Sequence, residues 1–411
     1  MPDSSPTTRK TPRRLSLVAT TWDVAASLAV IYVLSTVPTP LYELYRERLG
    51  FTGVTLTVIY AAYVVGSLGA MFFLGRLSDQ IGRRPVVLAS LMAGVVAVVL
   101  FLFADATVWL FAARVMSGFA IALASGASTA WIVESHRAGK KQATRIAIGA
   151  NLIGLAVGPL LAGVLAQYEP APLRLVYVVL LLMLLAVLIA VWFGAETVRE
   201  PTPLNEAKVS PRFGVPRELR VQFLVPAISA FSTFAVLGFY AALVPGLLRQ
   251  GLHQPNLAVA GAVTGGMFLV ASVTVALVEV PPIAGVIVGL GLLIPGVGMM
   301  VLAEHVRSMA WLVVASVVIG VAAGLGYRFG LEMVNEMAPD DRRSELVSGY
   351  LIVCYGAISL PVIGVGVVTA ASSAMVADTI FGVLVAVLAI AALVIELLLR
   401  ARRGAQTHAR A

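Results

Sequence analysis

Twelve apolar runs, each close to the roughly 20 residues a helix needs to cross a lipid hydrocarbon core, constrain this chain more than any other feature. They fall near 18–41, 52–74, 85–104, 108–133, 145–167, 174–195, 220–245, 256–279, 283–303, 309–333, 345–369 and 375–399. Only the Val-Pro-Pro break at 280–282 divides the eighth from the ninth. Apolar residues make up 59% of the 411 and charged residues 12%, against about 25% charged in ordinary globular domains. So few charges cannot cover a water-soluble surface, and lipid is the expected solvent. The expected fold class is an all-α membrane protein of 12 transmembrane helices.

The N-terminus is basic and then apolar, the order of a secretion signal. Its apolar run reaches about twenty residues with no clear small-x-small cleavage site, so it reads as a retained first span. The long polar stretch at 196–219 is rich in Pro and charge. It reads as a cytoplasmic linker between an N-terminal bundle (1–195) and a C-terminal bundle (220–411), each of six helices. Basic residues orient the spans, because cytoplasmic loops retain them. They gather in the N-terminal tail, in the 2–3 loop (Arg76, Arg83, Arg84), in the 4–5 loop (Arg137, Lys140, Lys141, Arg145), in the linker, in the 10–11 loop and in the C-terminal tail from Arg400 on. The opposite side holds only Arg46, Arg48, Arg174, Arg249 and Arg307 of the 29 lysines and arginines. Both termini are therefore expected in the cytoplasm. The pI of about 9.8 follows from this bias and requires no nucleic acid.

The halves also resemble each other at an offset of 202 residues. Gly118 falls on Gly320, Leu123 on Leu325, Glu134 on Glu336, Gly154 on Gly356 and Pro159 on Pro361. In each half a glutamate closes a span, a charged loop follows, and a proline interrupts the next span. Duplicated, pseudo-symmetric six-helix bundles follow from this, with a ligand site expected near midplane between them.

Several chemistries are excluded. Cys354 is the only cysteine, and His136, His253, His305 and His408 fall in expected loops or the tail, so neither a disulfide framework nor a metal site is expected. No GxxxxGK[ST] run is present, so ATP is not expected to drive the protein. No cluster of catalytic groups shares one depth, and no ring of like residues marks a channel filter.

Between spans two and three lies Gly75-Arg-Leu-Ser-Asp79-Gln-Ile-Gly82-Arg83-Arg84-Pro85. Gly75 and Gly82 permit a tight turn and close helix approach, and Asp79 places one negative charge among arginines. The pattern resembles the G-x-x-x-D-[RK]-x-G-R-[RK] loop of the major facilitator superfamily, with Gln80 departing from its usual basic residue. The resemblance implies a conformational latch that shuts the cytoplasmic side in the outward-open state. Asp79 would face the N-terminus of span eleven near Ser344, where the helix dipole favours an anion, and Arg83 would pair with Glu134. The 8–9 loop, only Val-Glu-Val-Pro-Pro, carries no second copy, so latching would fall mainly on the first half.

Arg114-Val-Met-Ser-Gly118 in span four is similar to the family's R-x-x-x-G motif. A charge inside a span costs at least ~2.5 kcal/mol on insertion scales, so Arg114 reads either as functional or as snorkelling to the outer interface. Gly154-Leu-Ala-Val-Gly158-Pro159-Leu-Leu-Ala-Gly163 in span five resembles the G-x-x-x-G-P-x-x-x-G signature of the family's drug:proton antiporters. The bare glycine spacing is also a generic packing device, and Pro159 would bend the helix.

Other charges within spans are few. Asp23 is the acidic candidate for proton coupling in the first half, or else an interfacial carboxylate. Arg328 and Glu332 lie four apart on one helical face and read as the deep pair of the second half. Glu279, Asp378 and Glu396 read as boundary residues. Tyr32, Tyr60, Tyr63, Phe234, Phe239 and Tyr240 are candidates for an amphipathic substrate cavity, or else aromatics packed between helices or belted at the interface.

The resemblance covers essentially the whole chain. It implies a secondary active transporter working by alternating access, a proton-coupled exporter of small amphipathic drugs or metabolites, energised by the proton gradient without a cofactor. The alternative is a proton symporter or facilitator importing a sugar or organic acid. The expected partners are the bilayer, a small-molecule substrate and protons, in a monomer. Alanine-, valine- and arginine-rich usage points to a bacterial inner membrane.

Overall fold

The computed structural model describes residues 15–75, 77–137, 139–206, 214–339 and 342–408. The N-terminal tail through Arg14, and Arg76, Lys208, Arg212 and Arg410 of the charge argument, lie outside the described residues. Among the described residues, 12 helices are long and apolar enough to cross a membrane, and none forms a strand. The first six are α1 (Leu17–Thr36), α2 (Gly53–Leu74), α3 (Arg83–Leu102), α4 (Thr107–Ser135), α5 (Lys140–Tyr168) and α6 (Pro172–Trp192). After the linker come α7 (Arg220–Ala242), α8 (Leu257–Leu277), α9 (Pro282–His305), α10 (Met309–Met337), α11 (Arg343–Ala371) and α12 (Ala374–His408).

Local chemistry sets the ends. α1 stops at Thr36, short of the expected 41, because Pro38 and Pro40 lack the amides that would continue it. A 3-10 turn (Thr39–Leu41) and a short helix (Tyr42–Leu49) follow. Ser16, Thr52 and Asn256 cap α1, α2 and α8, each side chain accepting from a first-turn amide, which satisfies donors no helical carbonyl can reach.

The bundle is inside-out relative to a soluble protein. Val65, Phe73, Ile189, Leu277, Leu360 and Leu397 are all exposed, as lipid requires, while Arg114 and Arg328 are buried. α6 and α12 are the least enclosed spans and present most of their surface outward. Within each half the packing repeats: α4 lies on α2 as α10 lies on α8. Gly118 abuts the backbone of Tyr63, and its counterpart Gly320 abuts the backbone of Met267. The halves meet along two seams, α5 against α8 and α2 against α11.

Candidate functional site

At the basic face, where the 2–3, 4–5 and 10–11 loops lie, a cavity of about 720 Å3 opens between the halves. Its deep wall is apolar (Leu28, Ala70, Leu123, Leu351), interrupted by Ser125, Thr129, Asn151, Tyr327 and Tyr355. Asn151 Nδ2 donates to the Tyr327 hydroxyl at 3.4 Å, joining α5 to α10 across the two halves. Asp79 and Glu134 stand at the mouth. The opposite face is closed. There Thr57 of α2 packs against Gly366 of α11, and Arg249 pairs with Glu47.

The 2–3 loop builds a charge network on the first half. The Arg83 guanidinium forks onto Glu134, Nη2 donating to Oε1 at 2.7 Å and Nε to Oε2 at 3.2 Å. Nη1 donates to Ser78 at 2.9 Å and also to Asp79. Such charge-assisted bonds are about twice as strong as neutral ones. Asp79 is bound within its own half and remains exposed. The Ser344 side chain lies outside the described residues. Gly82 adopts φ 109°, a backbone that side chains rarely adopt. A Cβ there would also come within 2.7 Å of Glu196 Oε2. Glu196 itself accepts from the amides of Arg83 (3.0 Å) and Arg84 (2.9 Å) and caps α3, an anion where the helix dipole favours one. Arg84 stacks over Trp192, 5.8 Å from the ring centroid. Gly75 has an ordinary helical φ of −58°, so the tight turn rests on Gly82 alone. Sequence reasoning left Glu196 in the linker. Its one signal was a carboxylate at the linker's first residue, beside an uncapped α3.

Arg114 does not snorkel. It is fully buried and donates to the carbonyls of Ser35 (2.8 Å) and Tyr60 (3.3 Å). Its guanidinium sits over the rings of Tyr60 and Tyr63, 5.2 and 5.0 Å from their centroids. Ser35 belongs to the last turn of α1, whose carbonyls lack helical partners, so Arg114 is the cap of that broken end. Arg328 does the same for α8, with Nη1 donating to Val275 (2.7 Å) and Val278 (2.6 Å) and Nε to Glu332 (3.0 Å). Arg328 and Glu332 flank a separate cleft beside Arg145 and Glu279 and do not line the cavity that Asn151 and Tyr327 border. Asp23 is half-buried, also off the cavity wall, with Oδ2 shielded and unpartnered.

The span-five motif faces two neighbours. Gly154 and Gly158 let α5 press against α1 at Ala29 and Thr36. One turn further, Gly163 abuts Leu257 and Gly261 of α8, while Gly261 abuts Pro159. Pro159 has no N–H for the Leu155 carbonyl, and the Thr36 hydroxyl donates to it instead.

The aromatic candidates divide. Tyr32 and Phe234 do not line the cavity but back its wall: Tyr32 lies within hydrogen-bonding reach of Ser125 and Asn151, and Phe234 meets Tyr327 edge-on at 5.4 Å. Tyr60 and Tyr63 are buried under Arg114. Phe239 is stacked on Phe381 at 4.6 Å, and Tyr240 is hydrogen-bonded to Ser316 at 3.1 Å, so both serve interhelical packing. The aromatics on the cavity wall include Tyr327 and Tyr355, which sequence reasoning missed. Neither the apolar run around Tyr355 nor Arg328 beside Tyr327 gave a sign of which face they present.

The Major Facilitator Superfamily model matches residues 24–360. The class B tetracycline resistance protein of Escherichia coli is 29% identical over 143 residues, 34% of this chain and 34% of that protein, so the match spans about a third of that relative's length. Three solved structures share the fold. A bacterial homologue of the human lysosomal transporter Spinster, inward-facing and unoccupied, has a TM-score of 0.69 at 14% identity, over 93% of this chain and 98% of its own. A human organic anion transporter has a TM-score of 0.67 at 16% identity, over 92% and 100%. A peptide transporter has a TM-score of 0.73 at 12% identity, over 92% and 93%.

Proposed function

Because the chain belongs to the major facilitator superfamily, and is thus a multi-pass membrane transporter rather than an enzyme, we propose that it exports small amphipathic drugs or metabolites in exchange for protons. Alternating access supplies the mechanism. The basic face is cytoplasmic, in a bacterial inner membrane with both termini inside, and the cavity open there takes up substrate. The Arg83–Glu134–Asp79 cluster then closes against the second half as the opposite face opens. Asp23 carries the proton in the first half, and Arg114 holds α1, α2 and α4 in register. The monomer is the working unit.

The observation that carries this reading is the double packing of the span-five motif. One helix carrying an internal proline is tied to α1 within its half and to α8 across the seam, so a rearrangement at the cavity passes directly into a rocking of the halves. An apolar wall with a few scattered hydroxyls and amides suits amphipathic molecules. The tetracycline resistance relative supports efflux. Sugar or organic-acid import would call for a denser set of hydrogen-bonding groups or a cation on the wall.

The test uses purified protein in lipid vesicles loaded with tetracycline or a lipophilic cationic dye. An inward-directed proton gradient should expel the probe from vesicles with the cytoplasmic face inside. Gradient-driven accumulation would favour the import reading, and no response to the gradient would remove proton coupling.

A further inference from the structure

On the closed face, a second space of about 250 Å3 lies between the halves, and three carboxyl groups border it. Glu43 comes from the short helix after α1, Glu304 from the last turn of α9, and Asp378 from the first turns of α12. All are buried, at 6%, 3% and 5% exposure. Glu43 is neutralised by Arg46 at 3.1 Å. Glu304 and Asp378 form no ion pair with any described residue, and they stand within hydrogen-bonding reach of each other. Glu304 Oε2 is sealed from solvent and receives no hydrogen bond.

The helices hold the two acids together. α9 and α12 pack along their length, and one turn further in, Gly382 would place a Cβ 2.8 Å from Val301. The turn at 247–251 closes the space from above, with Gly251 against Glu304 and Gly246 against Glu43. The charged groups nearby are already engaged or turned away. Arg249 pairs with Glu47 and Arg46 with Glu43. The exposed His305 is directed to the Val301 carbonyl, and Arg307 is exposed. At this end α10 and α11 carry no ionisable residue, and α12 carries only Asp378.

Two carboxylates in contact, out of water and without a cation, cannot both be ionised, since each buried charge costs several kcal/mol. A single proton resolves the arrangement, bonded to one carboxyl group and donated to the other. We propose that Glu304 and Asp378 are a proton-binding pair on the closed face, a protonation site of the second half distinct from Asp23. The proton comes from water and returns to it, with no other bond made or broken. While bound, it joins α9 to α12 beneath the 247–251 turn. Its loss leaves two negative charges at the seam and favours opening of that face. The inference needs neither the direction nor the substrate of the exporter reading.

Infrared spectroscopy of the substrate-free protein in lipid tests this. At neutral pH the intact protein should show a protonated-carboxyl stretching band that shifts in deuterated buffer. Glu304→Gln, Asp378→Asn and the double variant should each lose intensity from it, since an amide in either position donates to the remaining carboxylate. Glu43→Gln should retain it in full. No such band in the intact protein, an undiminished band in the double variant, or a diminished band in the Glu43 variant would overturn the assignment. Because the intact protein alone can fail the first criterion, the test does not depend on every variant folding.

Discussion

The Thr36 hydroxyl donates to the Leu155 carbonyl at 3.2 Å, taking the place of the amide that Pro159 cannot supply. The carbonyl that Pro159 leaves open in α5 is thereby satisfied by the last residue of α1, where Gly158 lets the helices touch. Thr36→Val keeps the shape and removes the donor, leaving a buried carbonyl unpaired at a cost of about 1–3 kcal/mol. Thermal unfolding in detergent should show a clear drop in midpoint, and Thr36→Ser should restore it. A Thr36→Val protein that melts with the wild type would show that the hydroxyl contributes nothing.

Arg114 serves two carbonyls and two ring faces from full burial. Arg114→Ala gives up bonds worth about 1.5–3 kcal/mol each for a charged donor and should lower both stability and transport. Arg114→Lys offers one ammonium in place of a planar fork and should recover only part. Equal melting and transport for the lysine variant and the wild type would contradict this role.

Asp79 rests on Arg83 in a structure open at the basic face, free to engage the second half when that face closes. Asp79→Asn should depopulate the state open on the opposite face. A cysteine at Thr57, buried at the closed seam against Gly366, should then react more slowly with a water-soluble thiol reagent. Unchanged labelling together with unchanged transport would reject the latch.

Arg145 of α5 donates to Glu279 across the seam and holds that carboxyl below the usual carboxylate range, with Lys141 adding to the effect. A depressed folded-state value means that the pair's contribution is present above the unfolded value and lost only as pH falls through the folded one. The contact should therefore survive mild acid and weaken with salt. Spin labels at Gln142 and Ala276, which border the same cleft, should keep their separation in mild acid and spread in Glu279→Gln. Spreading of the intact pair in mild acid would refute it.

The sequence made the lipid-crossing helices, the Gly82 turn, the Arg83–Glu134 pairing and the offset repeat legible, because each rests on local chemistry or a strong charge. It did not reveal which face of a span looks inward. A helix between lipid and protein is apolar all round, so periodicity is faint, and Tyr327 and Tyr355 could not be told from Tyr60 and Tyr63. Depth near span ends was equally faint. Asp378 read as a boundary residue and Glu304 drew no notice, yet packing of α9 on α12 buries both. Glu196 caps α3 from over a hundred residues away, a relation no local pattern encodes.

The central claim is that the halves rock about the cavity, and paired distances at the two faces test it most directly. Spin labels at Lys140 and Glu336 report the basic face, and labels at Arg48 and Gln250 the opposite one, all at exposed positions. Under a proton gradient with substrate, alternating access requires the basic-face distance to shorten as the opposite distance lengthens. Distances that rise and fall together, or that stay fixed while substrate is moved, would contradict it.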